Sequence, residues 1–295
     1  MSTVVAVDVG GTGIKAALVR DRVPGREFTV PTPVAEGPDA IIAAIRATVA
    51  GLIATAGAVD AIGVIAPGPV DAPNGIFVSA VNLGWNNVPM RAILRDEFGV
   101  PAAVEHDVRA AGLAERVLGL TRGVRDALTV TIGTGIAGLI TARGESIIGA
   151  TALGGEIGHI PVHPEGEPCP CGARGCLERY ASASAIARRY EQLSGRRATA
   201  ADCVALLPDD PIARRVWDEA TVALGLALAT YTMLLDPALI VLGGGLANAG
   251  ALLRDPVRSE LARRVTWRPV PAVELSPLGG RAGLLGAALV AEAVI

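Results

Sequence analysis

The chain has 295 residues, of which 51% are hydrophobic and 19% charged, a composition typical of a folded protein with a sizeable core. Its net charge is −3, and the 26 basic and 29 acidic residues are scattered without a run of one sign. This pattern argues against a nucleic-acid-binding protein and against a protein that binds membrane surfaces.

The predicted elements of the first half begin with two strands around a glycine-rich turn. The strands span residues 3–8 and 14–19, and the turn between them is short enough for a hairpin. A third strand is predicted at 27–30. Alternating helices and strands follow, beginning with a helix, at 37–56, 61–65, 89–98, 101–105 and 107–118.

The pattern then restarts with a second pair of strands around a glycine turn, which indicates two duplicated α/β halves. The cleft between two such halves is the expected ligand site. A polar loop rich in Gly, Pro and Cys interrupts the second half. The remaining predictions for this half are strands at 127–132, 137–142, 239–242 and 273–275 and helices at 178–193, 211–235 and 283–294.

No targeting or membrane segment is expected. The N-terminus has neither a basic region nor a small-residue cleavage site, so no signal peptide is predicted. The most apolar stretch, 220–235, is shorter than the roughly 20 residues of a membrane span and is predicted to be a buried helix. We therefore expect a cytoplasmic protein with reduced thiols.

Two glycine turns are candidate phosphate sites. The first, Asp8-Val9-Gly10-Gly11-Thr12-Gly13-Ile14-Lys15, is neither a Walker A loop nor a Rossmann fingerprint, because a strand follows it. Alone it is as well explained by an ordinary hairpin. The second, Gly133-Thr134-Gly135, has the same design, and its recurrence favours a function in binding phosphate. A third glycine segment, Gly243-Gly244-Gly245, ends a predicted strand.

A cluster of thiols and one imidazole predicts a metal centre. The loop carries His159, Cys169, Cys171 and Cys176, which fit a structural Cys₃His zinc site. The alternative is a Cys171–Cys176 disulfide, which a reducing compartment disfavours. Cys203 lies apart in a helical segment and is interpreted as a core thiol.

Asp107 stands where a short strand becomes a helix. A carboxylate there is a good helix cap, favoured by the helix dipole. It is equally placed to accept a proton from a hydroxyl during phosphoryl transfer.

Together these segments resemble the phosphate-1, phosphate-2 and adenosine elements of the sugar kinase/Hsp70/actin fold. From Val5 to the last helix, the chain resembles the ROK (repressor, open reading frame, kinase) family, in particular its zinc-containing bacterial glucokinases. The resemblance implies an α/β, two-domain actin/hexokinase-like (ribonuclease H-like) ATPase fold. The expected domains are 1–106 plus 281–295, and 107–280 with a zinc loop at 154–178.

The resemblance also implies a cytoplasmic, ATP-dependent kinase acting on the 6-hydroxyl of glucose or a close relative, with Asp107 as base and Zn²⁺ as a structural ion. A homodimer or homotetramer is expected. The residues implied for ATP and Mg²⁺ are Asp8, Gly10, Gly11, Thr12, Gly13, Lys15, Gly133, Thr134, Gly135, Gly243, Gly244 and Gly245. Those implied for the sugar are Gly68, Asn82, His106, Asp107, Glu156, His159 and Glu178. The zinc ligands implied are His159, Cys169, Cys171 and Cys176.

Two positions depart from the family segment Glu-Asn-Asp-Ala-Asn-Ala-Ala. His106 replaces a sugar-contacting Asn, and Arg109 replaces a second Asn. A neutral imidazole offers one donor and one acceptor, so amino or N-acetyl hexoses, including 3-amino-glucose, are alternative substrates.

Two alternatives of other kinds are also open. A sugar-sensing regulator of this family would carry a helix-turn-helix domain before the first glycine turn, where only seven residues precede Asp8. A polyphosphate-dependent enzyme is the other, although such relatives generally lack the zinc loop.

Overall fold

The structure, a computed structural model, describes residues 2–295. Strands and helices alternate along most of the chain. The strands are β1 (Thr3–Val9), β2 (Gly13–Arg20), β3 (Val23–Pro24), β4 (Phe28–Pro31), β5 (Ala61–Ala66), β6 (Val70–Asp71), β7 (Ile76–Ala80), β8 (Trp85–Val88), β9 (Ala102–His106), β10 (Ala127–Ile132), β11 (Ile136–Ala142), β12 (Glu145–Ser146), β13 (Leu239–Gly243) and β14 (Ala272–Leu275). The α-helices are α1 (Pro38–Ala56), α2 (Met90–Phe98), α3 (Asp107–Leu118), α4 (Glu178–Ala181), α5 (Ala183–Ser194), α6 (Ala200–Leu206), α7 (Pro211–Leu235), α8 (Ala251–Arg264) and α9 (Ala282–Glu292).

The chain folds into two compact units. One contains Arg281–Ile295 together with the residues up to Ala114, and the other contains Glu115–Gly280. The boundary therefore falls inside α3. The division expected from the sequence, at residue 106, precedes this boundary and remains a prediction.

The sheet of the first unit has the order β3-β2-β1-β5-β9, with β4 beside β2. β1 is antiparallel to β2 and parallel to β5, and β5 is parallel to β9. Helix α9 packs on one face of this sheet, where a Cβ added at Gly63 would lie 2.0 Å from the Ala287 carbonyl oxygen. Residue 63 must therefore be glycine for the helix to approach β5 this closely.

The sheet of the second unit repeats this arrangement in the order β12-β11-β10-β13-β14. β10 is antiparallel to β11 and parallel to β13, and β13 is parallel to β14. Each sheet thus contains a hairpin whose first strand pairs in parallel with a later strand. This is the duplication that the two glycine turns predicted. The long helix α7, capped by the Asp210 carboxylate, contributes much of the core of this unit.

Among the helices of residues 2–295, α1 is the one that is long and apolar enough to cross a membrane. Its buried face, formed by Ile41, Ile45, Val49 and Leu52, belongs to the core of the first unit. Pro38 occupies its first turn and Gly57, at φ 80°, ends it. Its packing on the first sheet accounts for these four buried apolar side chains.

The structure corrects one predicted helix and adds elements that were not predicted. The helix predicted at 178–193 is two helices, because Ser182 has an extended backbone and its side chain caps α5 by accepting from Ala185 N. Helix α6, with a capping box of Thr199 and Asp202, was not predicted. Neither was the small antiparallel sheet β6-β7-β8.

Candidate active site and metal centre

The candidate catalytic groups of the first unit lie at the carboxyl ends of parallel strands. In the register of the sheet, Asp8 pairs with Ile65 of β5, and Ala66 pairs with His106 of β9. Asp107 then begins α3, and its Oδ1 accepts a hydrogen bond from Val108 N at 2.7 Å. The sheet therefore brings Asp8, His106 and Asp107 to the same edge.

The pKa values of Asp8 and Asp107 are both raised, mainly because the two carboxyl groups are desolvated. The pKa of Asp8 is raised from 3.8 to about 6 by burial of its carboxyl group and by the nearby charge of Asp107, while the Lys15 ammonium opposes the rise. Desolvation also raises the pKa of Asp107, against backbone hydrogen bonds and the charge of Arg109. The Asp107 side chain nevertheless keeps 33% of its surface exposed, so a ligand can reach it. Two acidic groups held this way favour a cation between them and a ligand that donates a proton.

Asp8 is also enclosed by the first turn of α9. A Cβ added at Gly283 would lie 2.6 Å from Asp8 Oδ2, so any larger residue would collide with the carboxylate. Lys15 lies directly opposite Asp8 in the β1–β2 register. The surroundings of Asp8 thus combine desolvation with a cation on the neighbouring strand.

Replacing Asp8 by Asn should stabilise the ligand-free protein at neutral pH. Because the folded-state pKa of about 6 exceeds the ordinary 3.8, the native state binds this proton more tightly than the unfolded chain. The stability that this bound proton gives to wild type is complete below about pH 4. It is lost as the pH rises through the folded-state pKa of Asp8, whereas the Asn variant is unaffected. The free energy of unfolding of the variant should exceed that of wild type by on the order of 2 kcal/mol at about pH 7.5.

Urea denaturation without divalent cations at about pH 7.5 and about pH 4.5 measures this difference. The gap between variant and wild type should shrink at the lower pH. A difference in the free energy of unfolding that is the same at both pH values would contradict this prediction. The exposed Asp96→Asn substitution is the control.

The first glycine turn is held by the residue that follows β4. Gly10 N donates to the Gly13 carbonyl at 3.0 Å, and Thr32 Oγ1 donates to the Gly10 carbonyl at 2.6 Å. A Cβ added at Gly11 would lie 3.7 Å from Asn82 Nδ2, which places the predicted sugar residue Asn82 beside the turn. Thr12, at the tip, is exposed.

Gly68 has a structural reason to be glycine. Its φ is 94°, and an added Cβ would lie 2.1 Å from the Ser79 carbonyl oxygen. The chain after β5 could not pack on β7 with a larger residue here. Its contact with a sugar remains a prediction.

Glu105 organises the segment around His106. Its Oε1 accepts from His106 N at 2.7 Å and from Arg109 Nη2 at 2.5 Å. Arg109 is 6% exposed and forms an ion pair with Glu105, which lies four residues earlier at the end of β9. His106 Nδ1 shares the Val108 N–H with the Asp107 carboxylate, at 3.2 Å. In the neutral ring this leaves the proton on Nε2, which makes Nε2 a hydrogen-bond donor.

In the second unit, the other two glycine segments lie together. Thr131 pairs with Gly243 across β10 and β13, and a Cβ added at Gly244 would lie 2.5 Å from the Ile132 carbonyl oxygen. Cβ atoms added at Gly133 or Gly245 would meet no protein atom within 4 Å. The packing of the second unit therefore does not require glycine at these two positions, and the open space suits a ligand.

The four candidate zinc ligands converge in the second unit. The ligand atoms of His159, Cys169, Cys171 and Cys176 all lie within 4.8 Å of one another. Cys169 Sγ is 3.7 Å from His159 Nδ1, and Cys171 Sγ is 3.7 Å from Cys176 Sγ. Tetrahedral zinc with bonds of about 2.3 Å separates its thiolates by about 3.8 Å. The cysteines are free thiols and not a disulfide, so the residues present fit a Cys₃His zinc ion.

Two predicted sugar residues flank this cluster. Glu156 precedes the short 3₁₀ helix Ile157–His159 and is half-buried. Glu178 begins α4, and its Oε2 accepts from Ile136 N at 2.9 Å, next to the second glycine turn. The structure thus ties Glu178 to the glycine turn, a contact that the sequence did not indicate.

Comparison with known proteins decides the family. The sequence model of the ROK family matches residues 4–294. The chain belongs to the ROK family. A glucokinase of Streptomyces coelicolor is 33% identical over 98% of this chain and 97% of its own length. An N-acetylmannosamine kinase of Citrobacter koseri is 35% identical over 99% of both chains.

The solved structures agree with this assignment. A ROK glucokinase of Streptomyces griseus, crystallised with glucose and AMPPNP, is 32% identical, covers 99% of each chain and has a TM-score of 0.86. The predicted actin/hexokinase-like fold is therefore confirmed. The roles of the individual ROK site residues stay predictions.

Three residues that shape these sites were not predicted from the sequence: Thr32, Gly283 and Ser184. Each contacts a residue distant in sequence, and these partners are Gly10, Asp8 and Thr134, respectively. None belongs to a motif.

Proposed function

We propose that this ROK protein is a cytoplasmic, ATP-dependent hexose kinase that phosphorylates the 6-hydroxyl of glucose or a close relative. The observation that carries the proposal is the pair of desolvated carboxyl groups with raised pKa values, Asp8 and Asp107, at the sheet edge beside the first glycine turn. The names and ligands of the relatives support the same chemistry.

In the proposed reaction Asp107 is the general base. The 6-hydroxyl of the sugar donates its proton to the Asp107 carboxylate, and the oxygen of this hydroxyl forms a bond to the γ-phosphorus of ATP. The bond from that phosphorus to the bridging oxygen breaks, and ADP leaves with the electron pair. Because Oδ1 accepts from Val108 N, Oδ2 is the atom assigned to take the proton.

Nucleotide binding is assigned to the glycine segments. Their backbone N–H groups are suited to phosphate oxygens, and the space around Gly133 and Gly245 admits a ligand. Asp8 is the residue proposed to hold Mg²⁺, through a water molecule. The ion would neutralise charge on the phosphates of ATP.

Zinc is proposed as a structural ion. His159, Cys169, Cys171 and Cys176 would supply all four ligands of a structural zinc ion, with none left for substrate. Its role is to hold the loop that carries Glu156 and Glu178, the residues proposed to contact the sugar. A homodimer or homotetramer, expected from the family resemblance, is part of the proposal and is measurable by light scattering.

A second candidate substrate class is the N-acetylhexosamines. It is favoured by the similarity to the Citrobacter koseri kinase. Coupled ADP-release assays with glucose, mannose, N-acetylglucosamine, N-acetylmannosamine and 3-amino-glucose separate the candidates, and ³¹P-coupled NMR of the product locates the phosphate. If no sugar stimulates ADP formation, the proposed function is wrong.

His106 should disfavour 3-amino-glucose. With Nδ1 facing Val108 N, the ring presents an Nε2–H donor, which a hydroxyl can accept and an ammonium cannot. Wild type should therefore prefer glucose over 3-amino-glucose, and His106→Asn, whose amide also offers an acceptor, should narrow the ratio of kcat/KM values about 10-fold. The ratio is measured at fixed, saturating ATP. An unchanged ratio, with both activities present, would show that His106 does not select the sugar.

A further inference from the structure

The second glycine turn, residues 133–135, is supported by the segment that follows the zinc-ligand cluster. Ala183 N donates to the Gly133 carbonyl at 2.8 Å. Ser184 Oγ donates to the Thr134 carbonyl at 2.5 Å. We name residues 178–184 the supporting segment. Two consecutive carbonyl groups of the turn are therefore bonded to it.

The same turn is linked to the metal centre from two directions. Glu178, whose carboxylate accepts from Ile136 N, lies two residues after the ligand Cys176. On the other side, a Cβ added at Gly158 would lie 2.2 Å from the Ile136 carbonyl oxygen, and Gly158 immediately precedes the ligand His159. The chain on both sides of the four-ligand cluster thus packs against Ile136, where the turn ends.

Fixing these carbonyls also fixes the direction of two N–H groups. In a trans peptide unit the carbonyl and the N–H point in opposite directions. The Gly133 carbonyl shares its unit with Thr134 N, and the Thr134 carbonyl shares its unit with Gly135 N. Both N–H groups therefore point away from the supporting segment. Within residues 2–295 neither donates to another protein group, so both can donate to an anion.

We propose that the supporting segment positions the second glycine turn for nucleotide binding, by holding the Thr134 and Gly135 N–H groups towards a phosphate oxygen. The inference rests on the proposed function, which assigns this turn to ATP. It gives Ser184 a positioning role in nucleotide affinity, and it makes the zinc loop a support for the nucleotide turn as well as for the sugar residues.

The test is Ser184→Ala, assayed by calorimetric binding of AMPPNP with Mg²⁺ and, separately, of glucose. Ser184 is exposed, so the substitution opens no cavity. Without this hydrogen bond the free turn is no longer held in one orientation, so the Kd for AMPPNP should rise about 3- to 10-fold, with the glucose Kd unchanged and the Tm little changed. Ser184→Thr keeps a hydroxyl and should restore the affinity. Ser194→Ala, at the other end of α5, is the matched control.

Gly133→Ala separates the inference from the proposed function. Its methyl group would meet no protein atom within 4 Å, so it should leave the Tm unchanged but obstruct a phosphate. If Gly133→Ala binds AMPPNP more weakly while Ser184→Ala binds it as tightly as wild type, the inference is overturned and the proposed function stands. Normal AMPPNP binding by Gly133→Ala overturns both. An equal loss of AMPPNP and glucose affinity in Ser184→Ala, with a lower Tm, shows general loosening and also overturns the inference.

Discussion

Replacing Asp107 by Asn should lower turnover by about 10²-fold or more while the fold and the sugar affinity stay close to those of wild type. The amide matches the carboxylate in size and can still accept the hydrogen bond from Val108 N through its oxygen. It cannot take a proton from a hydroxyl at neutral pH. The loss should therefore appear in kcat, with little change in the KM for the sugar.

The experiment also separates catalysis from helix capping. Asn is as good a residue as Asp at a helix N-terminus, so capping alone predicts normal turnover for the variant. Asp39→Asn, an exposed change in the first turn of α1 in the same unit, is the matched control. Turnover of Asp107→Asn within a few-fold of wild type would leave Asp107 as a structural residue.

The pH profile gives an independent check on Asp107 and Asp8. Both groups must be ionised in the proposed mechanism, and the environment raises both pKa values. The kcat/KM should therefore fall as the pH decreases through about 6, the pKa of Asp8. This loss of activity near pH 6 is not expected from the sequence, because the raised pKa values depend mainly on how deeply the fold buries the two carboxyl groups.

Much of the fold was predictable because local signals coincide. Helix α3 begins at Asp107 and ends at Leu118, as predicted, since an acidic residue and the onset of helical periodicity fall at the same place. Helix α7 spans Pro211–Leu235, as predicted, because Asp210 caps it and Pro211 fits its first turn. The glycine turns fixed the two hairpins in the same way.

The remainder depends on contacts between residues far apart in the chain. No periodicity indicates that Ser184 bonds to Thr134, fifty residues away, or that Gly283 admits the Asp8 carboxylate. The small sheet β6-β7-β8 was missed because its strands are short and follow one another across turns without clear alternation. The candidate zinc ligands could be predicted because their chemistry, rather than periodicity, identifies them, and the structure brings the four side chains together.

Removing one zinc ligand should release the metal and destabilise the second unit. We expect about one zinc per chain in wild type, because four ligand atoms lie close enough for one tetrahedral ion. Cys171 is the exposed member of the cysteine ligands, so Cys171→Ser removes a thiolate without opening a cavity in the core. The expected result is loss of most bound zinc and a Tm lower by several degrees, since binding energy of a structural ion is folding energy.

Cys203→Ala is the matched control, because Cys203 is a buried thiol outside the cluster. It should lose some stability to a small cavity but retain its zinc. Elemental analysis of protein purified without chelators, together with calorimetric Tm values, measures both variants. Because the chain on both sides of the cluster packs against Ile136 and carries Glu156 and Glu178, zinc-free protein should bind glucose and AMPPNP more weakly. Wild type that holds no metal, or Cys171→Ser that keeps full zinc occupancy, would contradict the assignment of these four residues.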